Sequence, residues 1–220
     1  MFSSAAAYFS KMNRFDEEAE AWDSNPTTVQ SSNKFFRNIC KQLPGLQENE
    51  FKEKYAIEIA PHFREYYGYD TSQGMINKLQ AKIEKTPSVK IRAIKELLTD
   101  QNSPSLDSKK FQVATSHLTL HHIPDDSLQS TFQLLYDVLA PGGQVLLSDF
   151  ECNSESQWFH PSLQHSDVER HGMKGADLTI YLKQAGFQSV KVEKSFTLPK
   201  GCEDGVTRNF PFLIATGTKW

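Results

Sequence analysis

Apolar residues recur along this chain with two different periods, and the period predicts which segments form helices and which form strands. Spacings of three and four residues gather apolar side chains on one helix face at 14–23, 27–43, 72–85, 125–140 and 176–187. Short apolar or alternating runs predict strands at 55–59, 64–70, 89–94, 111–118, 144–150, 188–198 and 210–219.

Capping and turn residues set the expected ends of these helices. Thr27 or Thr28 is expected to cap the second helix and Ser72 the third, because hydroxyl groups accept hydrogen bonds from the first backbone N–H groups. Residues 141–143, Pro-Gly-Gly, are expected to end the fourth helix as a turn without a ligand role.

Strands that alternate with helices predict an α/β fold, a doubly wound and mostly parallel sheet covered on both faces. The last two strands have no helix between them, so we expect an antiparallel C-terminal strand pair at one edge. The chain contains no internal repeat or low-complexity tract. We therefore expect one domain over 1–220, with an N-terminal helical segment at 1–45 and a sheet core at 54–220.

Charge and composition narrow the classes of partner and compartment. The formal net charge is −3, so no nucleic-acid partner is expected. No apolar run reaches the roughly 20 residues that span a bilayer.

The three cysteines lie far apart without CxxC spacing, which fits a reducing, cytoplasmic setting. The opening MFSSAAAYFSKMNR is similar to a weak transit peptide, but a helix is predicted from Phe15, so we expect a frayed cytoplasmic N-terminus.

Four stretches occur in a telling order: FDEEAEAWDSNP near the start, GYDTSQGMI after the second strand, SHLTLHHIPD after the fourth, and LAPGGQVLLSDF before and through the fifth. In this order they resemble class I S-adenosylmethionine-dependent methyltransferases of the small, single-domain kind. The tail NFPFLIATGTK also resembles the terminal strand of such proteins. The resemblance covers nearly the whole chain. It implies a Rossmann-like sheet, S-adenosylmethionine as cofactor and methyl transfer as activity.

The resemblance also implies where the cofactor binds. Asp70 would accept both ribose hydroxyls, as a carboxylate at the end of a parallel strand can, and Thr71 and Met75 would lie beside the adenine. Residues 116–118 (Ser116, His117 and Leu118) would flank the methionine part. Without the resemblance, Asp70 is equally well explained as a negative charge at the start of a helix. Met75 also falls on the apolar stripe of that helix.

Two histidine-containing segments are candidates for further chemistry. His121 and His122 follow the fourth strand and are candidate catalytic residues, since histidine titrates near neutrality. A solvated loop before the next helix is the alternative, because methyl transfer depends mainly on alignment. The stretch FHPSLQHSDVERHG carries His160, His165, Asp167, Glu169 and His171, whose spacings match no common ligand motif, so we expect no metal. This stretch fits a loop near the pocket for the methyl acceptor. Trp158 and Phe159 would either form a wall of that pocket or pack beneath the loop.

The acidic run at 16–20 is expected to be a solvated helix face. In the family this segment can lie over the cofactor, which would make Phe15 and Trp22 lid residues. Docking of the helix at the sheet edge is the alternative.

One stretch departs from the family pattern. Such methyltransferases follow their first strand with a glycine-rich GxGxG turn, but no glycine occurs between Gly45 and Gly68. Only APHF separates the strand at 55–59 from the one at 64–70, whereas a parallel crossover needs a dozen or more residues. The first βαβ unit is therefore truncated, as by an internal deletion of turn and helix.

These observations leave several functions open. The first is S-adenosylmethionine-dependent methyl transfer to a small molecule or another acceptor, impaired by the lost turn. The others are a non-catalytic methyltransferase-like binding or regulatory protein and a truncated isoform of an active enzyme. A nicotinamide-dependent oxidoreductase ranks last, because it needs the same glycine turn. The sequence does not identify the acceptor or the oligomeric state.

Overall fold

The computed structural model of the protein describes residues 14–43, 64–87 and 90–220. The strand predicted at 55–59 and the N-terminal segment at 1–13 lie outside the described residues. The chain divides into two compact units, residues 1–98 and residues 99–220. The expectation of a single domain stays a prediction.

The first unit contains a β-α-β arrangement. Residues 14–22 are helical and are called α1. The other elements are α2 (Pro26–Gln42), β1 (Tyr66–Asp70), α3 (Gln73–Glu84) and β2 (Ile91–Lys95). Strands β1 and β2 pair in parallel along their full length, from Tyr66 opposite Ile91 to Asp70 opposite Lys95. The helix α3 is the crossover between them.

Helix starts in this unit follow side-chain capping. The cap of α2 is Asn25, not Thr27 or Thr28, and its Oδ1 accepts from the N–H groups of both threonines at 3.0 and 3.4 Å. Pro26 occupies the first helical turn, where its missing N–H costs nothing. Ser72 caps α3 as predicted, with its Oγ accepting from the Met75 N–H at 3.1 Å.

Apolar stripes position these helices. In α2, Phe35, Phe36 and Ile39 are fully buried. The α3 stripe packs on the β1–β2 pair, where Leu79 and Ile83 contact the cluster around Ile91. The periodicity in the sequence therefore identified the buried faces correctly.

Helix α1 is fastened to α3 by its acidic residues. The Asp16 carboxylate accepts from the Ser72 hydroxyl at 2.6 Å and from the Gly74 N–H at 2.7 Å. One and two turns further along, Glu20 pairs with Lys78 at 2.6 Å, and Asp23 pairs with Lys82. Asp16, Glu17 and Glu20 are exposed, as expected for a solvated face. Asp16 and Glu20 also interact with α3, because they meet its N-terminal dipole and one of its lysines.

The second unit contains a four-stranded mixed sheet. Its elements are β3 (Phe111–His117), α4 (Asp125–Val138), β4 (Leu139–Phe150), α5 (Gly175–Gln184), β5 (Gln188–Gly201) and β6 (Thr207–Thr218). The strand order is β3-β4-β6-β5, with β3 and β4 parallel and β6 antiparallel to both of its neighbours. The parallel strands and the antiparallel C-terminal pair confirm the predicted Rossmann-like fold class.

The core of this unit lies between β4 and the helices. Phe132 of α4 and Leu182 of α5 are fully buried against Val145 and Leu147 of β4. The structure assigns residues 141–143 to β4, not to a turn outside it. They form an irregular stretch, since Phe111 pairs with Leu139 and Val113 pairs with Gln144. Gly142 there has φ +79°, a conformation that favours glycine.

The helices among the described residues include none that is long and apolar enough to cross a bilayer.

Candidate active site

In the first unit, the predicted ribose ligand lies where a parallel strand meets a helix. Asp70 ends β1 and is half-buried, and its Oδ1 accepts from the Ser72 N–H at 2.8 Å. Burial raises the pKa of Asp70, against the lowering effect of hydrogen bonds from the Ser72 and Thr71 backbones. Thr71 and Met75 are half-buried beside it in the turn and the first turn of α3. The acceptor chemistry and the position fit the ribose of an adenosine.

Asp16 adds a second carboxylate at the same helix N-terminus. Hydrogen bonds from the Gly74 backbone and the Ser72 hydroxyl lower the pKa of Asp16. Its negative charge contributes to the raised pKa of Asp70. The two acids therefore differ in role. Asp16 belongs to α1 and accepts hydrogen bonds at the N-terminus of α3, whereas Asp70 is the last residue of β1.

In the second unit, the predicted methionine-side residues end β3. Ser116 and His117 pair with Leu147 and Ser148 of β4. Leu118 follows with φ +54°, a left-handed conformation that is strained for a leucine. Its N–H still donates to the Ser148 carbonyl at 3.0 Å, and its side chain packs on the aromatic cluster of Phe150, Phe159, Leu198, Phe210 and Phe212. Packing and pairing thus hold an abrupt change of chain direction at this strand end.

His117 is held neutral. Burial lowers the pKa of His117 from its usual 6.5 to about 4, although the nearby Asp149 charge acts in the opposite direction. Its ring lies 6.0 Å from that of Phe212, centroid to centroid. At neutral pH, this residue contributes no positive charge to the strand end.

The neutral state of His117 predicts a pH-dependent stability. Below pH 6.5 the unfolded chain takes up a proton that the folded chain takes up only near pH 4, so stability is full above 6.5 and falls towards 4. We expect a loss of about 2 kcal/mol in unfolding free energy between pH 7 and pH 5 from this residue. Urea unfolding of wild type and His117→Gln at both pH values measures the difference. Equal losses in the two proteins would contradict the assignment.

His121 forms a buried pair with a residue that the sequence reasoning missed. His121 and Asp149 are both 1% exposed, and the Nδ1 of His121 lies 2.8 Å from the Asp149 Oδ1. The carboxylate also accepts from the backbone N–H groups of His121, at 3.2 Å, and Phe150, at 2.9 Å. Burial by itself would raise the pKa of Asp149, but the charge and hydrogen bonds of His121 outweigh it and lower that pKa. The one signal in the sequence for this buried pair was the single acidic residue, Asp149, within the apolar run QVLLSDF.

Arg170 connects the loop that follows β4 to the turn that follows β3. The Arg170 guanidinium donates to the carbonyls of Leu120 at 2.6 Å and Ile123 at 2.7 Å, and it pairs with Asp125 at 2.6 Å. Its own N–H donates to the His121 carbonyl at 3.2 Å. The loop that follows β4 therefore lies against the turn that carries the two candidate histidines. Sequence reasoning did not single out Arg170, since nothing in its spacing identifies these carbonyl partners.

The histidine-rich stretch separates into two groups. His160 lies with His121 and His122, with ring centroids 5.1 and 5.8 Å away. His165 and His171 lie together at 4.6 Å, and the His165 Nε2 is 2.9 Å from the Gln157 carbonyl. The Asp167 carbonyl lies 3.1 Å from the His122 Nδ1.

The two aromatic residues before His160 pack against other side chains. Phe159 stacks on Phe150 at 4.1 Å between ring centroids, and the Arg208 guanidinium lies 4.3 Å above the Trp158 ring. These contacts correspond to the packing alternative for both residues.

Known proteins place these features in a family. The sequence profile of a family described as a methyltransferase domain matches residues 52–192. No curated protein sequence matches the chain. Among solved structures, magnesium protoporphyrin IX methyltransferase (ChlM) from Synechocystis PCC 6803 with bound SAH has a TM-score of 0.65 at 14% identity, over 97% of this chain and 100% of that chain.

Two further structures share the fold. N-methyltransferase NodS from Bradyrhizobium japonicum WM9 with S-adenosyl-L-homocysteine has a TM-score of 0.57 at 13% identity, over 95% of this chain and 98% of that chain. Phosphoethanolamine N-methyltransferase 2 from Haemonchus contortus with S-adenosyl-L-methionine has a TM-score of 0.63 at 14% identity, over 95% of this chain and 60% of that chain. On the matched sequence and the strand arrangement, this chain belongs to the class I S-adenosylmethionine-dependent methyltransferases.

Proposed function

We propose that the protein binds S-adenosylmethionine and transfers its methyl group to a small-molecule acceptor in the cytoplasm. The observation that carries the proposal is Asp70, a half-buried carboxylate at the end of β1 in a β-α-β unit of a methyltransferase chain. S-adenosylmethionine supplies a methyl group on a positively charged sulfur. The named acceptors of two similar structures, magnesium protoporphyrin IX and phosphoethanolamine, support a small molecule.

Each predicted residue has a defined task in this proposal. Asp70 accepts hydrogen bonds from the ribose hydroxyls, and Thr71 and Met75 border the adenine. Ser116, His117 and Leu118 border the methionine part. Because His117 is neutral near pH 7, it does not repel a positively charged sulfur.

Proton transfer is not a required part of the proposal. Methyl transfer from a positively charged sulfur needs the acceptor atom in line with the carbon–sulfur bond, so alignment supplies much of the rate. In this reaction, His121 and His122 orient the acceptor. Asp149 and the Asp167 carbonyl each engage the Nδ1 of one of these rings.

A non-catalytic binding protein is the second candidate. The observation that favours it is the absence of any glycine between Gly45 and Gly68, where the family has its cofactor turn. Such a protein would be folded and would release no S-adenosylhomocysteine. A truncated isoform of an active enzyme would also release no S-adenosylhomocysteine, but it would be unstable when expressed. In that case a glycine-rich segment restored after Ile59 would restore cofactor binding.

A labelled-methyl assay tests the proposal. Purified protein is incubated with methyl-labelled S-adenosylmethionine and, in separate reactions, with the small-molecule, protein and nucleic-acid fractions of a cell extract. We expect label in the small-molecule fraction, matched by S-adenosylhomocysteine, and its loss in Asp70→Ala. Label in another fraction would overturn the acceptor class. No transfer to any fraction would favour the non-catalytic alternative.

A further inference from the structure

We propose that His121, His122 and His160 form a binding site for a divalent transition-metal ion such as Zn²⁺. The sequence suggested no metal, because the spacings within the stretch at 159–172 match no ligand motif. The fold combines His160 from that stretch with two histidines from the turn after β3. The proposal is independent of the methyl-transfer proposal.

The geometry of the three rings suits a common ion. One ring nitrogen from each histidine lies within 4.8 Å of one from each of the others. The ring centroids of His121 and His122 are 4.0 Å apart. In a tetrahedral zinc site with Zn–N bonds of about 2.0–2.1 Å, the nitrogens lie about 3.4 Å apart. Small side-chain rotations therefore gather the three nitrogens around one ion.

The hydrogen bonds of His121 fix its tautomer. An ionised carboxylate only accepts, so in the neutral ring that a metal requires, the Nδ1 at 2.8 Å from Asp149 carries the proton and the Nε2 carries the lone pair. The His121 Nε2 is buried and has no hydrogen-bond partner among the described residues. An unsatisfied buried polar atom is costly, and a metal ion would satisfy it.

His122 is oriented in the same way. Its Nδ1 lies 3.1 Å from the Asp167 carbonyl, which only accepts, so the lone pair of this ring is also on Nε2. Histidines that bind metals usually donate their second N–H to a carboxylate or a backbone carbonyl. His121 and His122 show one example of each.

The surroundings favour a transition metal over a hard cation. Phe150 packs on His121 at 4.9 Å and on His160 at 5.8 Å between ring centroids. Three imidazoles suit Zn²⁺ and its neighbours, whereas Ca²⁺ and Mg²⁺ need oxygen ligands. The buried Asp149 carboxylate supplies a compensating negative charge next to the site. A three-histidine set leaves a fourth position for water or another ligand.

A calorimetric titration of metal-free, full-length protein with ZnCl₂ tests the site. We expect one zinc ion per chain. Changes outside the ligand set alone cost 10–100-fold in affinity, so loss of a ligand in His160→Ala or His122→Ala is expected to weaken binding by about 100-fold or more. His171→Ala is the matched control and is expected to bind as wild type does. Equal binding by His160→Ala and wild type, or no binding by wild type, would overturn the proposal.

A second measurement keeps the test valid if a variant fails to fold. Wild-type protein titrated with Co²⁺ is expected to develop the strong visible absorption of a four-coordinate site, and Zn²⁺ should displace it. Only the weak absorption of six-coordinate Co²⁺ would overturn the site.

Discussion

Replacing Asp149 by alanine is expected to lower the free energy of unfolding by about 3–5 kcal/mol, because it breaks a buried pair from one side. The carboxylate accepts from the His121 ring and from two backbone N–H groups. Alanine leaves all three donors in a space where both original side chains are 1% exposed or less. A buried donor that has lost its acceptor has also given up its hydrogen bonds to water, so the protein carries the full desolvation cost of that donor.

Urea unfolding measures this change, with Asp126→Ala as the control. Asp126→Ala is the same change of aspartate to alanine, made at an exposed position of the same unit in the first turn of α4. There we expect a loss of less than about 1 kcal/mol. If both variants unfold at the same urea concentration, the contact of Asp149 with His121 does not stabilise the C-terminal ends of β3 and β4.

Replacing Asp70 by alanine is expected to weaken S-adenosylmethionine binding about 100-fold. Two hydrogen bonds from ribose hydroxyls to a carboxylate contribute about 3 kcal/mol together, since bonds to charged groups are each about 1.5–3 kcal/mol. Asp70→Asn keeps an oxygen that can accept from the Ser72 N–H, and a smaller loss of about 10-fold is expected.

Calorimetry on the folded variants separates this role from a structural one. Glu84→Ala removes an exposed carboxylate at the other end of α3 and should leave affinity unchanged. Circular dichroism confirms that each variant is folded. Should Asp70→Ala bind as tightly as wild type, the carboxylate serves only the helix N-terminus.

Local patterns predicted much of the fold. The spacing of Leu128 and Phe132 identified the buried face of α4, and Ser72 was recognised as a cap because its interaction spans three residues. Alternation at 188–198 and 210–219 indicated the two antiparallel strands. In each case, the interacting residues are close in sequence or share a simple period.

Interactions between distant segments were not predictable in the same way. The partners of Asp16 lie beyond residue 70, and their contact depends on how α1 docks against α3. His160 joins His121 only after the loop folds back, and Asp149 needed a buried partner that no spacing reveals. A period in sequence identifies a face of an element, and the fold alone decides what that face meets.

The altered cofactor turn makes S-adenosylmethionine binding the central question. The most direct measurement is a calorimetric titration of purified full-length protein with S-adenosylmethionine. We expect saturable binding at one site per chain, weakened about 100-fold in Asp70→Ala. No detectable heat up to millimolar cofactor, from a protein shown to be folded, would contradict it.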